Sequence, residues 1–312
     1  MILVGDVGGT RTRLALATRR NGGWQLEELR EEPTGPDILT MIREYLGSVA
    51  GPGIDTAAFC GAGPVADDGS IRLTNAPVLL EPAALARAAG AGRALLINDF
   101  AAVAESLPAL TPAQLRICGG GGSGIGPRVV MGPGTGFGVA IATPSGDGWA
   151  VVAGDGGHAD LAPVDDEELE VWRRLRAQHG RVSAETVLCG PGLERLHLAL
   201  HGPPHLGAEQ IALCAWRGEA TAVRTVALFT RWLGSVAGNL ALIAGALGGV
   251  YLAGGILPRW GDHFDTALFR TAFEDKPPYA GWLAGLPAYV VTHPAPALLG
   301  LALRAGSYTA AE

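Results

Sequence analysis

The 312-residue chain has a formal net charge of −7 and a pI near 5.5, so it lacks the basic footprint that nucleic acid or an anionic membrane surface requires. With 48% hydrophobic residues it can bury a large core, and its length suggests about two domains. Small molecules are therefore the expected partners. Lys276 is the only lysine, which excludes a Walker A loop and a protein-kinase site; bound phosphate must rely mostly on backbone amides, arginine or metal. Cys60, Cys118, Cys189 and Cys214 form no CxxC pair, which argues against a zinc cluster and for free thiols. Met1-Ile2-Leu3-Val4 runs straight into Gly5 and Asp6 without the n-region of a signal peptide, so a cytoplasmic location is expected.

Residues 2 to 18 read as two strands around Gly8-Gly9-Thr10. Such a turn is either a plain hairpin or a small nest of N–H groups that accepts phosphate. Asp6 at the strand's end favours the nest, because a carboxylate facing phosphates is repulsive unless Mg²⁺ lies between them. Trp24 to Leu29 suggests a third strand, Pro36 to Leu46 a helix and Thr56 to Cys60 a fourth strand. Gly61 to Asn75 should form a hairpin, and Pro82 to Ala89 a helix. Leu95-Leu96-Ile97 reads as a buried strand that ends in Asn98-Asp99-Phe100, a polar pair at a sheet rim where ligands bind in open α/β folds. Asp99 is thus a candidate base; the alternative is that Asn98 and Asp99 cap the following helix.

Cys118 to Pro127 is a glycine tract read as a mobile surface loop near a domain boundary. Val129 to Thr143, with Gly132-Pro133-Gly134-Thr135-Gly136, then parallels Val4 to Thr18, so two glycine hairpins could hold one polyphosphate. Gly154 to Asp160 places Asp155, His158 and Asp160 on a loop whose glycine content suggests ligand contact rather than stability. A metal site there would lack a soft ligand and helical spacing. Asp165 to Glu168 and Arg173 to His179 bracket a helix with charges that suit its dipole, and Ser183-Ala184-Glu185 resembles an N-cap with a first-turn acid. Residues 191 to 247 read as helical with breaks near Gly202-Pro203-Pro204 and Gly218. The charge-free interval from Arg231 to Arg259 imitates a membrane span, but its paired glycines favour a buried helix followed by a strand over Gly249 to Ala253. Gly254-Gly255 turns tightly after it, and either lets a flat base approach or forms a simple joint. A strand over Pro287 to Val291 and a helix over Ala297 to Ala305 complete a mixed α/β pattern.

Several of these segments, namely Gly5 to Thr10 with Arg13-Leu14-Ala15, Leu73-Thr74-Asn75, Ile97 to Phe100, Gly132 to Gly138, Gly156 to Asp160, Ser183 to Glu185, Gly238-Asn239 and Ala253 to Ile256, resemble the bacterial glucokinase family of the hexokinase and actin-like superfamily. The resemblance implies two RNase H-like α/β domains flanking a cleft: a small one over 1–108 completed by a C-terminal helix at 298–312, and a large one over 109–297. It implies ATP-dependent phosphorylation of the glucose 6-hydroxyl in carbohydrate metabolism, by a homodimer, with Asp99 as general base. Asn75, Asn98, Asp99, Asp155, His158 and Glu185 would meet the sugar. Gly5, Asp6, Gly8, Gly9, Thr10, Gly132, Gly134, Thr135, Gly136, Gly254 and Gly255 would meet ATP, with Mg²⁺ near Asp6. Asp155 stands where the family usually has glutamate and Arg11 where it commonly has asparagine. A kinase for another hexose and a non-catalytic sugar sensor of the same fold are the alternatives.

Overall fold

The computed structural model describes residues 1–20, 22–49, 53–122, 124–146 and 148–309. The chain divides into two units, one of Met1–Thr111, Val151–Ala153 and His293–Glu312 and another of Pro112–Ala150 and Gly154–Thr292. The first holds a five-stranded sheet in the order β3-β2-β1-β4-β7, from β1 (Ile2–Val7), β2 (Arg11–Arg20), β3 (Gly23–Pro33), β4 (Thr56–Gly61) and β7 (Arg93–Asn98). β1 pairs antiparallel with β2 and parallel with β4, and β4 pairs parallel with β7. Buried along its whole length, β4 is the apolar run expected of a central parallel strand. The edge strand β3 instead carries Glu27, Glu28, Glu31 and Glu32, charges that discourage pairing with another chain.

Helices α1 (Ile38–Ser48) and α2 (Pro82–Ala89) pack Ile42, Tyr45 and Leu85 with Leu3 and Phe59 on one face of this sheet. α3 (Asp99–Ser106) follows β7 directly and lies against the C-terminal helix, Pro296–Thr309, which also contacts β1 and β4. That helix pair is close enough that a Cβ on Gly300 would stand 1.8 Å from the carbonyl oxygen of Ala102. The turn-rich stretch after β4 pairs Val65 with Ile71 inside the expected span, and a second short hairpin follows, β5 (Ile71–Arg72) with β6 (Leu79–Leu80), whose connection holds Asn75.

The second unit repeats the plan. Its sheet runs β11-β10-β9-β12-β13-β8, from β8 (Leu115–Ile117), β9 (Arg128–Pro133), β10 (Phe137–Ser145), β11 (Gly148–Gly154), β12 (Val250–Leu252) and β13 (Ala288–Val291). β9 is antiparallel to β10 and parallel to β12, and β12 is parallel to β13. Helices α4 (Asp166–His179), α5 (Ala184–Val187), α6 (Gly190–His201), α7 (Ala208–Trp216), α8 (Ala220–Ala244), α9 (Ile256–Trp260), α10 (Thr266–Glu274) and α11 (Ala280–Gly285) supply its core, with Phe229, Trp232, Phe269 and Phe273 fully buried. α8 is long and apolar enough to cross a membrane by length and composition, yet 67% of its apolar window is buried inside the protein.

Two expectations change here. The glycine tract is stitched to the body rather than mobile: the N–H groups of Cys118, Gly121 and Gly124 donate to Ala288, Gly285 and Leu247. Gly120, at φ +87°, lies against the Leu286 carbonyl, an approach no side chain could share; Ser123 lies outside the described residues. The acids at the start of α4 do more than suit the dipole. Asp165 caps the helix, and Arg231 of α8 pairs with Asp165, Glu167 and the buried Glu168.

On α6, His197 is buried with Nδ1 2.9 Å from the Thr225 hydroxyl, and its ring centroid is 4.9 Å from that of His201. Thr225 donates its own proton to the Thr221 carbonyl, so His197 must be the donor in that contact. Burial, and for His197 the neighbouring His201, lower the pKa of both imidazoles from their ordinary 6.5. The unfolded chain therefore takes up protons first, so stability is complete above about pH 6.5 and is lost as pH falls through the folded values. Thermal midpoints measured from about pH 8 down to about pH 5 should decline, and His201→Leu should flatten the decline.

Candidate functional site

In the first unit the register of four strand pairs sets one lateral row across the sheet, Glu31, Arg13, Asp6, Cys60 and Ile97, whose side chains share a face. The Cys60 thiol donates to Asp6 Oδ1 at 3.6 Å, and Arg13 Nη1 stands 3.7 Å from Asp6 Oδ2. Burial raises the Asp6 pKa against the opposing influence of Arg13. Burial, Asp6 and Asp99 together push the Cys60 thiol well above its ordinary range, so it remains a protonated donor. Asp99 lies two residues beyond Ile97, the end of that row, at the junction of β7 and α3.

The capping reading of the Asn98-Asp99 pair holds for Asn98. Asn98 is the cap: its Oδ1 accepts from Ala101 N at 3.0 Å, and its Nδ2 donates to the Gly63 carbonyl at 3.3 Å. Asp99 opens α3, with Oδ1 accepting from Phe100 N at 2.9 Å, and lies partly exposed at the C-terminal end of β7.

The first turn, from Gly8 to Arg11, is braced by its own backbone. Gly8 N–H donates to the Arg11 carbonyl at 3.0 Å, so the donors left to an anion are those of Gly9 and Thr10. Thr34, which the sequence did not single out, fixes this turn: its hydroxyl donates to the Gly8 carbonyl at 2.7 Å and its N–H to the Thr10 carbonyl at 2.9 Å. The buried Thr12 hydroxyl, 2.9 Å away, must then donate to Thr34. Asn75 packs against Gly9, where a Cβ would stand 3.1 Å from its own. Gly5 lies beneath the Phe59 ring in mid-strand, so packing demands its missing side chain. Arg11 is exposed, and its Nη1 donates to Glu31 at 2.8 Å.

In the second unit the corresponding turn, Gly134 to Gly136, is one residue shorter and closes with Gly134 N–H on the Gly136 carbonyl at 2.8 Å. Glu185 is absent from the capping box of α5, which Ser183 and Thr186 make between themselves. Its Oε2 instead accepts from Phe137 N at 2.7 Å, and its Oε1 faces His158 Nε2 at 4.0 Å. Gly190 N–H, at the start of α6, donates to the Gly134 carbonyl at 2.9 Å. Gly254, at φ +88°, packs on the Pro133 carbonyl, and Gly132 backs onto Ala253, so Gly254 and Gly255 lie beside the same turn.

In the Gly154 to Asp160 loop, packing requires Gly156 and Gly157, whereas a Cβ on Gly154 would meet nothing. A Cβ on Gly157 would meet the Phe137 carbonyl at 2.0 Å, and one on Gly156 would meet Val139. Asp155 and His158 are exposed on this pinned loop, joined by a His158 N–H bond to the Asp155 carbonyl at 2.9 Å. Asp160 is committed elsewhere, to Arg181, which holds its carboxyl below the ordinary range.

Both sheets thus contain the order 3-2-1-4-5, with an antiparallel meander joined to parallel strands and glycine turns at the end of the first strand of each. This is the actin-like ATPase fold of two RNase H-like domains, shared with a ROK hexokinase from Thermus thermophilus at a TM-score of 0.66 and 20% identity, covering 97% of each chain. A family model described as Glucokinase matches residues 3–307. Glucokinase of Chromobacterium violaceum is 40% identical over 99% of this chain and 90% of its own length, and that of Caulobacter vibrioides 42% identical over 96% and 94%. The crystal structure of a glucokinase from an Antarctic psychrotroph superimposes with a TM-score of 0.86 at 34% identity, covering 98% of both chains. The chain belongs to the glucokinase family.

Thr34→Val removes the hydroxyl that braces the first turn. A hydrogen bond of this kind contributes about 1 kcal/mol, so KM for ATP should rise roughly fivefold while KM for the sugar stays near its original value in steady-state assays.

Proposed function

We propose that this chain transfers the γ-phosphoryl group of ATP to the 6-hydroxyl of glucose, as the names of its relatives indicate for them. The observation that carries the reading is the position of Asp99 at the C-terminal end of the parallel strand β7, in the same sheet whose β1–β2 hairpin carries Asp6 and the glycine turn Gly8 to Arg11. Asp99 orients the 6-hydroxyl and accepts its proton. Asn98 and Asn75 are the candidate sugar contacts of the first unit; considered by itself, the second unit offers Asp155, His158 and Glu185, and amide, imidazole and carboxylate groups all suit alcohols. Glu185 has a second task, because it holds the N–H that follows the Gly134 to Gly136 turn and so couples sugar contact to phosphate contact.

Phosphoryl transfer passes through a loose transition state, so alignment and charge neutralisation supply most of the rate. The glycine turns contribute backbone N–H groups at fixed positions. Asp6 would hold Mg²⁺, which when bound neutralises charge on the phosphate oxygens. Among the described residues no group of three His, Cys, Asp or Glu is placed to hold a metal. A single carboxylate nevertheless fits Mg²⁺, which takes most of its ligands from water and phosphate.

Asp155, short and exposed on a loop pinned by Gly156 and Gly157, supports a second reading as a kinase of another hexose. Coupled ADP-release assays across a hexose panel separate the two. In the same assay Asp99→Asn should fold and retain sugar affinity yet lose roughly 10²- to 10⁴-fold in kcat; near-normal turnover would remove Asp99 as the base.

A further inference from the structure

The lateral row across the first sheet holds an arrangement that the reaction as described does not use. Asp6 has two carboxylate oxygens, and the Cys60 thiol occupies one, Oδ1. Among the described residues Oδ2 accepts no hydrogen bond, which makes it the oxygen more open to a cation. The nearest cation is Arg13, directly opposite Asp6 on β2, yet its Nη1 stops 3.7 Å from Oδ2, beyond a hydrogen bond. The reason lies on the other side of Arg13, where Glu31 of β3 accepts from Arg13 Nε at 2.7 Å. Glu31 takes a second arginine as well, Arg11 Nη1 at 2.8 Å, from the end of the glycine turn. One acid on an edge strand thus draws two guanidinium groups away from the place where phosphate and metal would sit.

We propose that Glu31 is a positioning residue for the metal carboxylate: by detaining Arg13 it keeps Asp6 Oδ2 open to a divalent cation. The inference rests on the proposed role of Asp6 as the Mg²⁺ carboxylate. If the Glu31 charge is lost, nothing on β3 opposes the Asp6 carboxylate in the competition for Arg13, and the guanidinium can close on Oδ2 as a charge-assisted pair. Asp6 is then neutralised by a side chain before the metal arrives. A plain surface ion pair on an edge strand would have no such reach, since pairs of that kind contribute at most about 1 kcal/mol to stability and nothing to a neighbouring ligand.

The test is direct binding of Mn²⁺, as a stand-in for Mg²⁺, to the protein saturated with the non-hydrolysable analogue AMPPNP, followed by the electron paramagnetic resonance signal of free Mn²⁺. Glu31→Gln should raise the Mn²⁺ dissociation constant roughly tenfold, the scale on which outer partners of metal ligands act. Its thermal midpoint should stay close to that of the parent, because Glu31 lies on an exposed edge. The double variant Arg13→Gln/Glu31→Gln should recover the parent's Mn²⁺ affinity, since the competing cation is gone. Parent-like affinity in Glu31→Gln, or a double variant as weak as the single, would overturn the inference. Asp6→Asn separates this from the reading beneath it: if Asp6→Asn binds Mn²⁺ as tightly as the parent, the metal role of Asp6 fails and the inference goes with it. Weakened binding in Asp6→Asn beside parent-like binding in Glu31→Gln removes the Glu31 role alone.

Discussion

The parallel, in-register pairing of β1, β4 and β7 is the constraint on which the polar edge of the first unit depends. Val7, Gly61 and Asn98 end the three strands on one line, and Asp6, Cys60 and Ile97 form the line before it. Side chains alternate along a strand, so a slip of one residue would send Asp6 to the face where Leu3, Phe59 and the helices α1 and α2 make the core. The buried apolar run of β4 prevents that slip. A fully buried strand with Ala57, Ala58, Phe59 and Cys60 at no exposure has only one register that fills both faces. The position of a chemical group is thus secured by residues that take no part in chemistry.

The second unit reuses the sheet but spends its turn differently. In the first unit an outside residue, Thr34, braces the glycine turn, through side-chain and backbone bonds to Gly8 and Thr10. In the second, the turn is shorter and is held by two helix starts, Gly190 at α6 and Glu185 in α5. The difference follows from what each turn adjoins. Beside the first is another strand, which offers a neighbouring Thr; beside the second are helix N-termini, which offer free N–H groups and a carboxylate. Glu185 thereby joins the Gly134 to Gly136 turn to His158 and the loop that carries Asp155, an assembly from three separate stretches of chain.

Elements with chemical punctuation were legible in the sequence. The helix over Pro82 to Ala89 was placed to the residue, since Pro sits at its first turn and Gly90 ends it in the left-handed conformation. The hairpins around Gly8 and Gly134, and the strand ending at Asn98, followed from apolar alternation meeting glycine or a polar pair. Elements without such marks were missed or misjudged. The strand legible in the sequence ends at Leu29, whereas β3 continues through Glu31 and Glu32 to Pro33, because an edge strand needs no apolar face to pair. β11, α10 and α11 were not anticipated. The glycine tract from Cys118 read as mobile because a sequence cannot show that its N–H groups would find carbonyls more than a hundred residues away. Of the candidate site residues, Asp6, Asp99, His158 and Glu185 stand out in the sequence by type and neighbourhood. Thr34 and Cys60 did not, since a threonine after a strand and a cysteine within one are ordinary until the register is known.

The single lysine carries this argument one step further. Lys276 is half-buried, donates to Ser235 Oγ at 2.9 Å, and has its pKa lowered by burial, so it is occupied within the second unit's helices. Near the first turn the cations are Arg11 and Arg13, and both are engaged by Glu31. At the first turn the donors free to meet an anion are therefore peptide N–H groups, dipoles whose strength does not change with pH and whose direction is set by the fold. That choice has a structural cost: each turn must be held rigid from outside, by Thr34 in one case and by Gly190 and Glu185 in the other. A lysine can follow its phosphate through rotations of its own side chain, whereas a backbone donor is only as well aimed as the scaffold behind it. The bracing of the two turns is thus the counterpart of a nearly lysine-free composition.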